Sequence, residues 1–295
     1  MTALAQTDQL LLGRFAAIRQ HTRQGVIAPN KPVTLLWALE RVAHGHDRLT
    51  PFAVAEKELQ PRLDTWGTPG TAASYAFWRL QNDGLWEVVS SGALPPRSGD
   101  KEPRITALRA HAGGGFMEPV YAQLAASPDL CGEAAELLEG QLRPRRIKNR
   151  PQRLEPVWET IKRAAREAWF RREVLAAYDG CCSVCGWRLA NGGSAVALDA
   201  VHVHQRSKGG PDALDNGAVL CSLHHRLFDA GLFSWGADRR LIVSPLWRDE
   251  LRGTMPSLRE AAGKKLPDPS RGAPRVSDRH LAWHRQHVFR TQQSI

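Results

Sequence analysis

The chain has 295 residues, of which 42% are hydrophobic, so it can bury at least one full core and more naturally forms two domains. Its formal net charge of +10 at pH 7 favours a polyanionic partner, although a basic surface that only aids solubility would give the same charge. No apolar run approaches the roughly 18 residues that span a bilayer, and no secretory signal is visible, which predicts a cytoplasmic protein without a membrane partner.

The first 140 residues carry apolar positions at mainly helical spacing, which predicts a mixed but mostly helical domain over residues 1–142. Pro32 suits the first turn of one helix, and Thr50 followed by Pro51 suits the start of another. The β-forming residues after Gly84 predict a short strand. The predicted elements are helices over residues 32–46, 50–63, 118–126 and 132–142 and a strand over residues 85–89.

A basic segment follows this domain. Residues 143–153 hold six basic residues and no acidic one, and they are interrupted by Pro144 and Pro151. Prolines and self-repelling charges keep a chain extended, which predicts an interdomain linker over residues 143–156. The linker is either a simple spacer or a strap that follows phosphates between two DNA-binding domains.

The C-terminal domain is predicted to span residues 157–295 and to begin with an amphipathic helix that is basic on one side. The region after residue 230 has the pattern of a hairpin that turns at residues 236–238. Prolines and glycines between residues 252 and 277 predict loops with short helices. The predicted regular elements are helices over residues 157–178 and 278–289 and a hairpin over residues 231–245.

Four of the five cysteines lie between Cys181 and Cys221, which favours metal ligands in a reducing compartment over a disulfide framework. Two pairs have the two-residue gap that lets both members bind one ion from a tight turn. Cys181 would leave a three-residue gap, so we predict that it is an unligated neighbour. The alternative is a set of ordinary buried residues. The predicted structural zinc ligands are Cys182, Cys185, Cys221 and His224.

A second set of residues is interleaved with these ligands. A neutral imidazole can take a proton from water at physiological pH, so His202 is the predicted general base. Asn216 does not titrate, so it either holds the loop and orients His202 or gives a carbonyl oxygen to a metal. His225 follows a zinc ligand on a helix and would hold a catalytic divalent cation, Mg²⁺ or Mn²⁺. The predicted elements are strands over residues 196–205 and 219–220 and a helix over residues 222–228.

The order of His202, Asn216 and His225 on a β-β-α hairpin resembles the HNH nuclease family, and the resemblance implies metal-assisted hydrolysis of a phosphodiester. Many members of that family carry an acidic or imidazole metal ligand immediately before the base, where this chain has Val201. Asp199 lies on the same strand face as Val201 and is the predicted substitute ligand. A solvated or capping carboxylate is the alternative role for Asp199.

Three blocks of the N-terminal domain, residues 28–39, 74–88 and 106–116, resemble a sulfur-binding domain that recognises phosphorothioated DNA. The resemblance implies a small apolar cup for the sulfur, with basic side chains on the neighbouring phosphates. The family often has proline where this chain has Ala76, and histidine or another donor where it has Asn30. Aromatic residues of these blocks could instead be core, as we predict for Phe77 and Trp86. The residues implied in binding DNA or sulfur are Asn30, Lys31, Ser74, Tyr75, Ala76, Arg109, His111, Gly113 and Gly114.

Taken together, the chain resembles a phosphorothioate-dependent, McrA-type restriction endonuclease. The resemblance implies an α+β chain with a mainly helical reader domain, a small β element, and a zinc-stapled ββα-metal nuclease domain. It implies a type IV-like enzyme that cuts double-stranded DNA by a one-metal mechanism, with two protomers needed for a double-strand break. The alternatives are an HNH nuclease that reads another modification or a plain sequence, and a non-catalytic zinc-stapled DNA-binding protein.

Overall fold

The chain forms two compact units, Met1–Trp169 and Phe170–Ile295, in a computed structural model. The residues that the structure describes are 3–20, 22–23, 26–68, 70–92, 103–142, 157–188, 190–191, 194–246, 258–270 and 272–291. The predicted linker, residues 143–156, lies outside the described residues, as do residues 252–257 of the predicted loop region. Within the described part of the chain, no helix combines the length and the apolar character that crossing a membrane requires.

The first unit is mainly helical and contains one small three-stranded sheet. Its helices are α1 (Ala3–Ala16), α2 (Asn30–Ala43), α3 (Phe52–Trp66), α4 (Ala73–Arg79), α5 (Ile105–His111), α6 (Glu118–Ala126), α7 (Pro128–Gln141) and the first half of α8 (Val157–Ala177). Its strands are β1 (Thr22–Arg23), β2 (Val26–Ile27), β3 (Thr50–Pro51), β4 (Trp86–Ser90) and β5 (Ala112–Phe116).

The sheet of the first unit has the order β3-β5-β4, with both pairs antiparallel. Its central strand β5 depends on glycine for close packing. A Cβ on Gly114 would lie 2.5 Å from the ring of Phe77, and one on Gly115 would lie 1.8 Å from the carbonyl oxygen of Arg48. These glycines therefore let the backbone approach the core where any side chain would collide.

Helix α2 supplies the centre of the core, because Leu35, Trp37 and Leu39 are all almost fully buried. The ring of Trp86 lies 6.4 Å from that of Trp37 and 5.4 Å from that of Phe77. Such tilted and edge-to-face pairs are favourable beyond the area that they bury. Phe77 and Trp86 are thus core residues, as predicted.

Two predicted helix starts are displaced in the structure. Thr50 and Pro51 pair with the glycine strand as β3, so α3 begins only at Phe52. Helix α7 begins at Pro128 because Ser127 caps it, with the Ser127 side chain accepting a hydrogen bond from the Leu130 amide. At the start of α3, strand pairing outweighs the local helix signal. At the start of α7, the pair Ser127-Pro128 is a helix-start signal that the sequence prediction did not use.

The second unit is built around an antiparallel hairpin that a helix covers. Strand β8 pairs with β9 in a register that sets Leu198 opposite Cys221 and His202 opposite Gly217. A Cβ on Gly217 would lie 2.4 Å from Val174, so this glycine lets the second half of α8 pack closely on the hairpin. The elements are β6 (Ala190–Asn191), β7 (Ser194–Ala195), β8 (Leu198–His202), β9 (Gly217–Cys221), α9 (Ser222–Asp229), β10 (Phe233–Trp235), β11 (Leu241–Val243) and α10 (Asp278–His287).

The order β8-β9-α9 is the predicted β-β-α hairpin, and β10 and β11 form the predicted second hairpin. Strand β8 ends at His202, three residues before the predicted end, because the chain turns there into a loop that Asn216 closes. The prediction of an α+β chain, with a mainly helical first domain and a ββα element in the second, is confirmed. Residues 157–169, which the sequence assigned to the second domain, group with the first unit.

Candidate metal clamp, active site and reader cavity

The four predicted zinc ligands converge in the second unit. Each of Cys182, Cys185, Cys221 and His224 offers one ligand atom, and these atoms all lie within 4.8 Å of one another. The Nδ1 atom of His224 is 3.1 Å from the Cys221 sulfur and 3.6 Å from the Cys182 sulfur. The cluster joins the turn that follows α8 to the start of α9. We call it the metal clamp.

Cys181 is not part of the clamp. Its sulfur instead lies 3.6 Å from the Asp179 carbonyl oxygen.

The pKa values of the residues in the clamp are shifted because their side chains lie close enough to form hydrogen bonds with one another. The hydrogen bond from the Cys185 thiol lowers the pKa of Cys182 far below its usual value and raises that of Cys185. Burial lowers the pKa of His224, but hydrogen bonds to the sulfurs of Cys182 and Cys221 outweigh burial and raise it to about 9. Three sulfurs and one imidazole that must share protons at this distance fit a metal ion in their midst.

His202, at the end of β8, is held on two sides. Its Nε2 atom lies 2.8 Å from Oδ1 of Asp212, and the exposed fractions of the two side chains are 18% and 15%. Its ring stacks on that of Phe170 from α8, with centroids 3.9 Å apart and planes inclined by 10°. The bare backbone of Gly217, opposite His202 in the hairpin, leaves room for Phe170. The imidazole therefore has a fixed plane and a fixed carboxylate partner.

Asn216 is fully buried and closes the loop between β8 and β9. Its Oδ1 atom accepts a hydrogen bond from the His204 amide at 2.7 Å. Its Nδ2 atom donates to the carbonyl oxygens of His204 at 3.0 Å and of Pro211 at 2.9 Å. The side chain is thus engaged with backbone on both sides of the loop, which fixes the segment that carries Asp212.

His225 lies between two carboxylates on the exposed side of the hairpin. Its Nδ1 atom is 3.1 Å from Oδ2 of Asp199, and its Nε2 atom is 3.4 Å from Oδ2 of Asp229. Asp199 is also 3.7 Å from the guanidinium of Arg171. Val201 is only 2% exposed and packs into the core, so the position before His202 offers no ligand. Carboxylate oxygen is a donor that suits Mg²⁺ or Mn²⁺, whereas imidazole nitrogen suits transition metals better.

The structure therefore arranges the predicted catalytic residues in two pairs on one hairpin. Asn216 acts on the loop beside His202, and His225 meets Asp199. The sequence reasoning missed Asp212 and Asp229, and it also missed the contribution of α8. Asp212 follows a Gly-Gly-Pro turn, which marks a loop but does not say where the loop's side chains point.

A cavity of about 200 Å³ lies in the first unit where three of its segments meet. Lys31 at the start of α2 lines it and is paired with Asp83 at 2.5 Å, with the Asp83 side chain only 3% exposed. Tyr75 lines it from α4, and the guanidinium of Arg79 lies 5.6 Å from the Tyr75 ring centroid. We call it the reader cavity. Its lining residues are Arg19, Gln20, Ala28, Asn30, Lys31, Tyr75, Arg79 and Asn82.

The side chain of Asn30 forms its polar contacts within the protein. Its Oδ1 atom accepts a hydrogen bond from the Thr68 amide at 2.7 Å, and its Nδ2 atom lies 3.3 Å from the Thr71 hydroxyl. It is only 7% exposed, so it supports the wall of the cavity between α2 and the end of α3.

The remaining residues predicted for DNA or sulfur binding are not among those that line the cavity. Ala76 is 1% exposed in the core, and Gly114 packs on Phe77 within the sheet. Arg109 lies on α5, where its guanidinium makes two hydrogen bonds to Glu56 at 2.6 and 2.9 Å. These bonds raise the pKa of Arg109 above its ordinary value. The predicted residues outside the lining are Ser74, Ala76, Arg109, His111, Gly113 and Gly114.

Five of the lining residues were not singled out from the sequence, namely Arg19, Gln20, Ala28, Arg79 and Asn82. Arg79 lies one helical turn after Tyr75, so the helical spacing of the block 74–88 was a usable signal. Arg19 and Gln20 follow α1 and are brought to the cavity by tertiary contacts. One of these is the hydrogen bond from the Arg19 amide to Asp83 at 3.2 Å.

Comparison with known proteins identifies two domains. Residues 8–150 match the family model of the ScoMcrA-like DNA sulfur-binding domain, and residues 182–234 match that of the HNH endonuclease. No curated protein matches the chain.

Several solved structures are similar to parts of the chain. The sulfur-binding domain of ScoMcrA complexed with phosphorothioated DNA is 26% identical, over 46% of this chain and 90% of that chain, with a TM-score of 0.41. The sulfur-binding domain of SprMcrA complexed with phosphorothioated DNA is 22% identical, over 56% of this chain and 98% of that chain, with a TM-score of 0.41.

The Type IV phosphorothioation-dependent restriction endonuclease ScoMcrA is 25% identical, over 44% of this chain, with a TM-score of 0.38. This chain spans only 24% of that protein's length. One family match falls within each unit, and the second unit carries the β-β-α hairpin and the metal clamp. The chain therefore joins a ScoMcrA-like DNA sulfur-binding domain to an HNH endonuclease domain, and it is a DNA endonuclease of the HNH type.

Proposed function

We propose that this protein is a type IV-like restriction endonuclease of the cytoplasm. It binds phosphorothioated double-stranded DNA through its first unit and hydrolyses nearby phosphodiester bonds with its second. The observation that carries the proposal is the presence, on one chain, of a DNA sulfur-binding domain and an HNH domain with an intact His202, Asn216 and His225.

The reader cavity supports recognition of a sulfur-bearing phosphate. Sulfur in place of a non-bridging oxygen keeps the negative charge but is larger, more polarisable and a poorer hydrogen-bond acceptor. The ring of Tyr75 offers it an apolar contact, whereas an oxygen there would lose hydration without compensation. A contact of that size contributes on the order of 1–2 kcal/mol, which corresponds to roughly fivefold to thirtyfold discrimination.

The charges around the cavity suit the DNA backbone. Arg19, Lys31 and Arg79 all line it, and Asp83 offsets one of these charges through its ion pair with Lys31. The cations attract any DNA, and the apolar contact adds the preference for the mark. We assign recognition to these lining residues. Arg109 and the glycines of β5 instead support the domain, because Glu56 holds the former and the sheet holds the latter.

In the nuclease domain, His202 acts as the general base that takes a proton from the attacking water. Asn216 holds the loop beside it through its three backbone hydrogen bonds. Asp199 and His225 would hold the catalytic cation, Mg²⁺ or Mn²⁺, from neighbouring positions. Bound there, the cation would polarise the scissile phosphate and offset the charge that develops on the departing oxygen.

The metal clamp has a structural role, and we assign it Zn²⁺ because three thiolates and one imidazole are a typical closed donor set for that ion. One nuclease domain contains one hydrolytic centre, so a double-strand break requires two protomers, most simply as a homodimer on the DNA. Residues 143–156 would form a basic strap between the reader and α8, the helix that leads into the nuclease unit. These assignments extend the prediction from sequence, with the nuclease unit now starting near Phe170.

One experiment tests the proposal. Duplexes that differ only in a phosphorothioate mark are incubated with the protein and Mg²⁺ or Mn²⁺, and cleavage is followed on a sequencing gel. We expect cuts near the mark in the modified duplex and much slower cutting of the plain one. The variant His202→Ala should bind both duplexes as the wild type does and cut neither. Equal cutting of the two duplexes would refute dependence on the mark, and no cutting with either metal would refute the nuclease assignment.

A further inference from the structure

Asp212 contacts the predicted base directly. Its Oδ1 atom is 2.8 Å from Nε2 of His202, a normal hydrogen-bond length. Both side chains are mostly buried, and the loop that carries Asp212 is fixed by Asn216 through the carbonyl oxygen of Pro211. The contact therefore belongs to a built site and does not depend on a mobile surface carboxylate.

The carboxylate selects the tautomer of the imidazole. An ionised carboxylate only accepts hydrogen bonds, so the nitrogen that faces it must carry the hydrogen. With the hydrogen on Nε2, the lone pair of neutral His202 lies on Nδ1. Phe170 stacks on the ring face and restricts rotation about the Cβ–Cγ bond, so the two nitrogens do not exchange places easily.

We propose that Asp212 is a positioning residue of the hydrolytic reaction, which holds His202 with its basic nitrogen, Nδ1, toward the attacking water. The inference rests on the proposed function, because it assigns a partner to the base named there. Asp212 touches neither the DNA nor the reacting atoms in this role. It acts through His202.

The role follows from the balance of the proton transfer. An O–H bond of water breaks and an N–H bond forms at Nδ1, while the water oxygen bonds to phosphorus. The bond from phosphorus to O3′ breaks, and its electron pair stays on that oxygen. His202 becomes an imidazolium in this step, and the carboxylate of Asp212 offsets its new positive charge through the Nε2–H bond. The carboxylate therefore stabilises the transition state more than the ground state.

The charged groups around this pair determine how the reaction should respond to pH. Arg206, in the same loop, lies 3.5 Å from Oδ2 of Asp212. Helix α8 presents the uncharged ring of Phe170 to His202, and its next residue, Arg171, is paired with Asp199. Strand β9 places Gly217 opposite His202. Asp212 is thus an anionic partner of His202.

The test uses the full chain under single-turnover conditions on the duplex that the wild type cuts, from pH 5.5 to 8.5 with saturating Mn²⁺. Asp212→Asn keeps the shape of the side chain and removes its charge. We expect the plateau rate to fall by about tenfold to a hundredfold. The acid limb of the profile should move to lower pH by about one unit, because the imidazolium loses its counter-charge. DNA affinity and the Mn²⁺ concentration for half-maximal rate should not change.

Asp268→Asn is the matched control, since Asp268 also pairs with an arginine, Arg275, and lies outside the β8-β9-α9 hairpin. It should leave the rate and its pH profile unchanged. Wild-type behaviour of Asp212→Asn would overturn the inference. So would a loss that extra Mn²⁺ restores with the acid limb unmoved, since Asp212 would then be a metal ligand. A loss accompanied by weaker DNA binding or a lower melting temperature would make its role merely structural.

Failure of the inference and failure of the proposed function are distinguishable. If the wild type cuts DNA and His202→Ala does not, the nuclease assignment stands whatever Asp212→Asn does. If the wild type cuts no DNA with either metal, the assignment itself is wrong, and the partner of His202 has no catalytic meaning.

Discussion

His284 is a histidine that folding buries without its charge. Its ring stacks on that of Phe228 with centroids 3.6 Å apart, and its Nδ1 atom lies 2.9 Å from the Ser234 hydroxyl. Its Nε2 atom lies 3.3 Å from the Phe228 carbonyl oxygen. Burial lowers the pKa of His284 to about 4. The side chain thus joins α10 to both α9 and β10 in its neutral form.

This burial predicts a pH dependence of stability. The pKa is lower in the folded than in the unfolded state, so the unfolded chain binds the proton first, and stability falls as pH falls from about 6.5 toward 4. The full loss is on the order of 3 kcal/mol. Melting temperatures of the second unit, measured from pH 4 to 7, should fall less in His284→Gln than in the wild type. His287→Gln, at an exposed position of the same helix, should keep the wild-type slope. Equal slopes in all three proteins would contradict the prediction.

At the scale of single residues, the chemical role of a side chain could be predicted from the sequence more easily than the residues that it contacts. The residue types of His202 and Asn216 limited what each could do, and Asn216 does hold a loop, one of the two roles that its chemistry allowed. Asp212 was missed because a carboxylate in a loop has no periodicity that reveals where it points. Arg109 was expected near DNA, but sequence does not show that a carboxylate 53 positions away, Glu56, occupies its guanidinium.

At the scale of elements, the metal clamp adds a cross-link to a hairpin whose buried core is small. It ties the turn at Cys182 to the start of α9, whereas β8 and β9 are only five residues long each. The free energy of metal binding to such a site contributes directly to folding. In zinc-finger peptides this free energy is about 10–16 kcal/mol. The position of α9, and with it His225, should therefore depend on the ion.

Removal of the metal tests this dependence. Cys221→Ser, or a strong chelator, should abolish the cooperative thermal transition of the second unit and all cleavage, while binding of marked DNA by the first unit persists. Bound zinc, measured by elemental analysis, should fall to a negligible level in Cys221→Ser. Cys181→Ser is the matched control and should retain metal, transition and activity. Zinc and a transition that survive in Cys221→Ser would contradict the structural role of the clamp.

Elements were predictable where one local signal was strong, as at α2, α6 and the hairpin of β10 and β11. Elements were harder to predict where pairing with a strand distant in sequence competed with the local signal. Thr50 and Pro51 read as a helix start but pair with Gly114 and Gly113, more than 60 positions away. The resemblance to a sulfur-binding domain had implied the same glycines at the sulfur site. In the structure they bring β5 against Phe77 and the segment at Arg48, a packing demand that sequence alone does not reveal.

At the scale of the whole molecule, we expect two forces to act on DNA: electrostatic attraction by the net charge and an apolar contact in the reader cavity. The net charge of +10 attracts any nucleic acid, and this attraction weakens with salt through counterion release. The apolar contact proposed for Tyr75 involves no ion, so salt should leave it nearly unchanged. The sequence predicted both domains and their order, yet the share of each force in recognition depends on a cavity that three separate segments assemble.

These forces can be separated by titrating marked and plain duplexes with the full chain in the His202→Ala background at several salt concentrations. Plots of log Kd against log salt should be parallel for the two duplexes and offset by roughly fivefold to thirtyfold in favour of the mark. Tyr75→Ala should remove the offset and keep the slope. Arg19→Ala, at an exposed position of the cavity, should lower the slope by about one and keep the offset. An offset that shrinks with salt, or that survives in Tyr75→Ala, would mean that charge and not apolar contact distinguishes the mark.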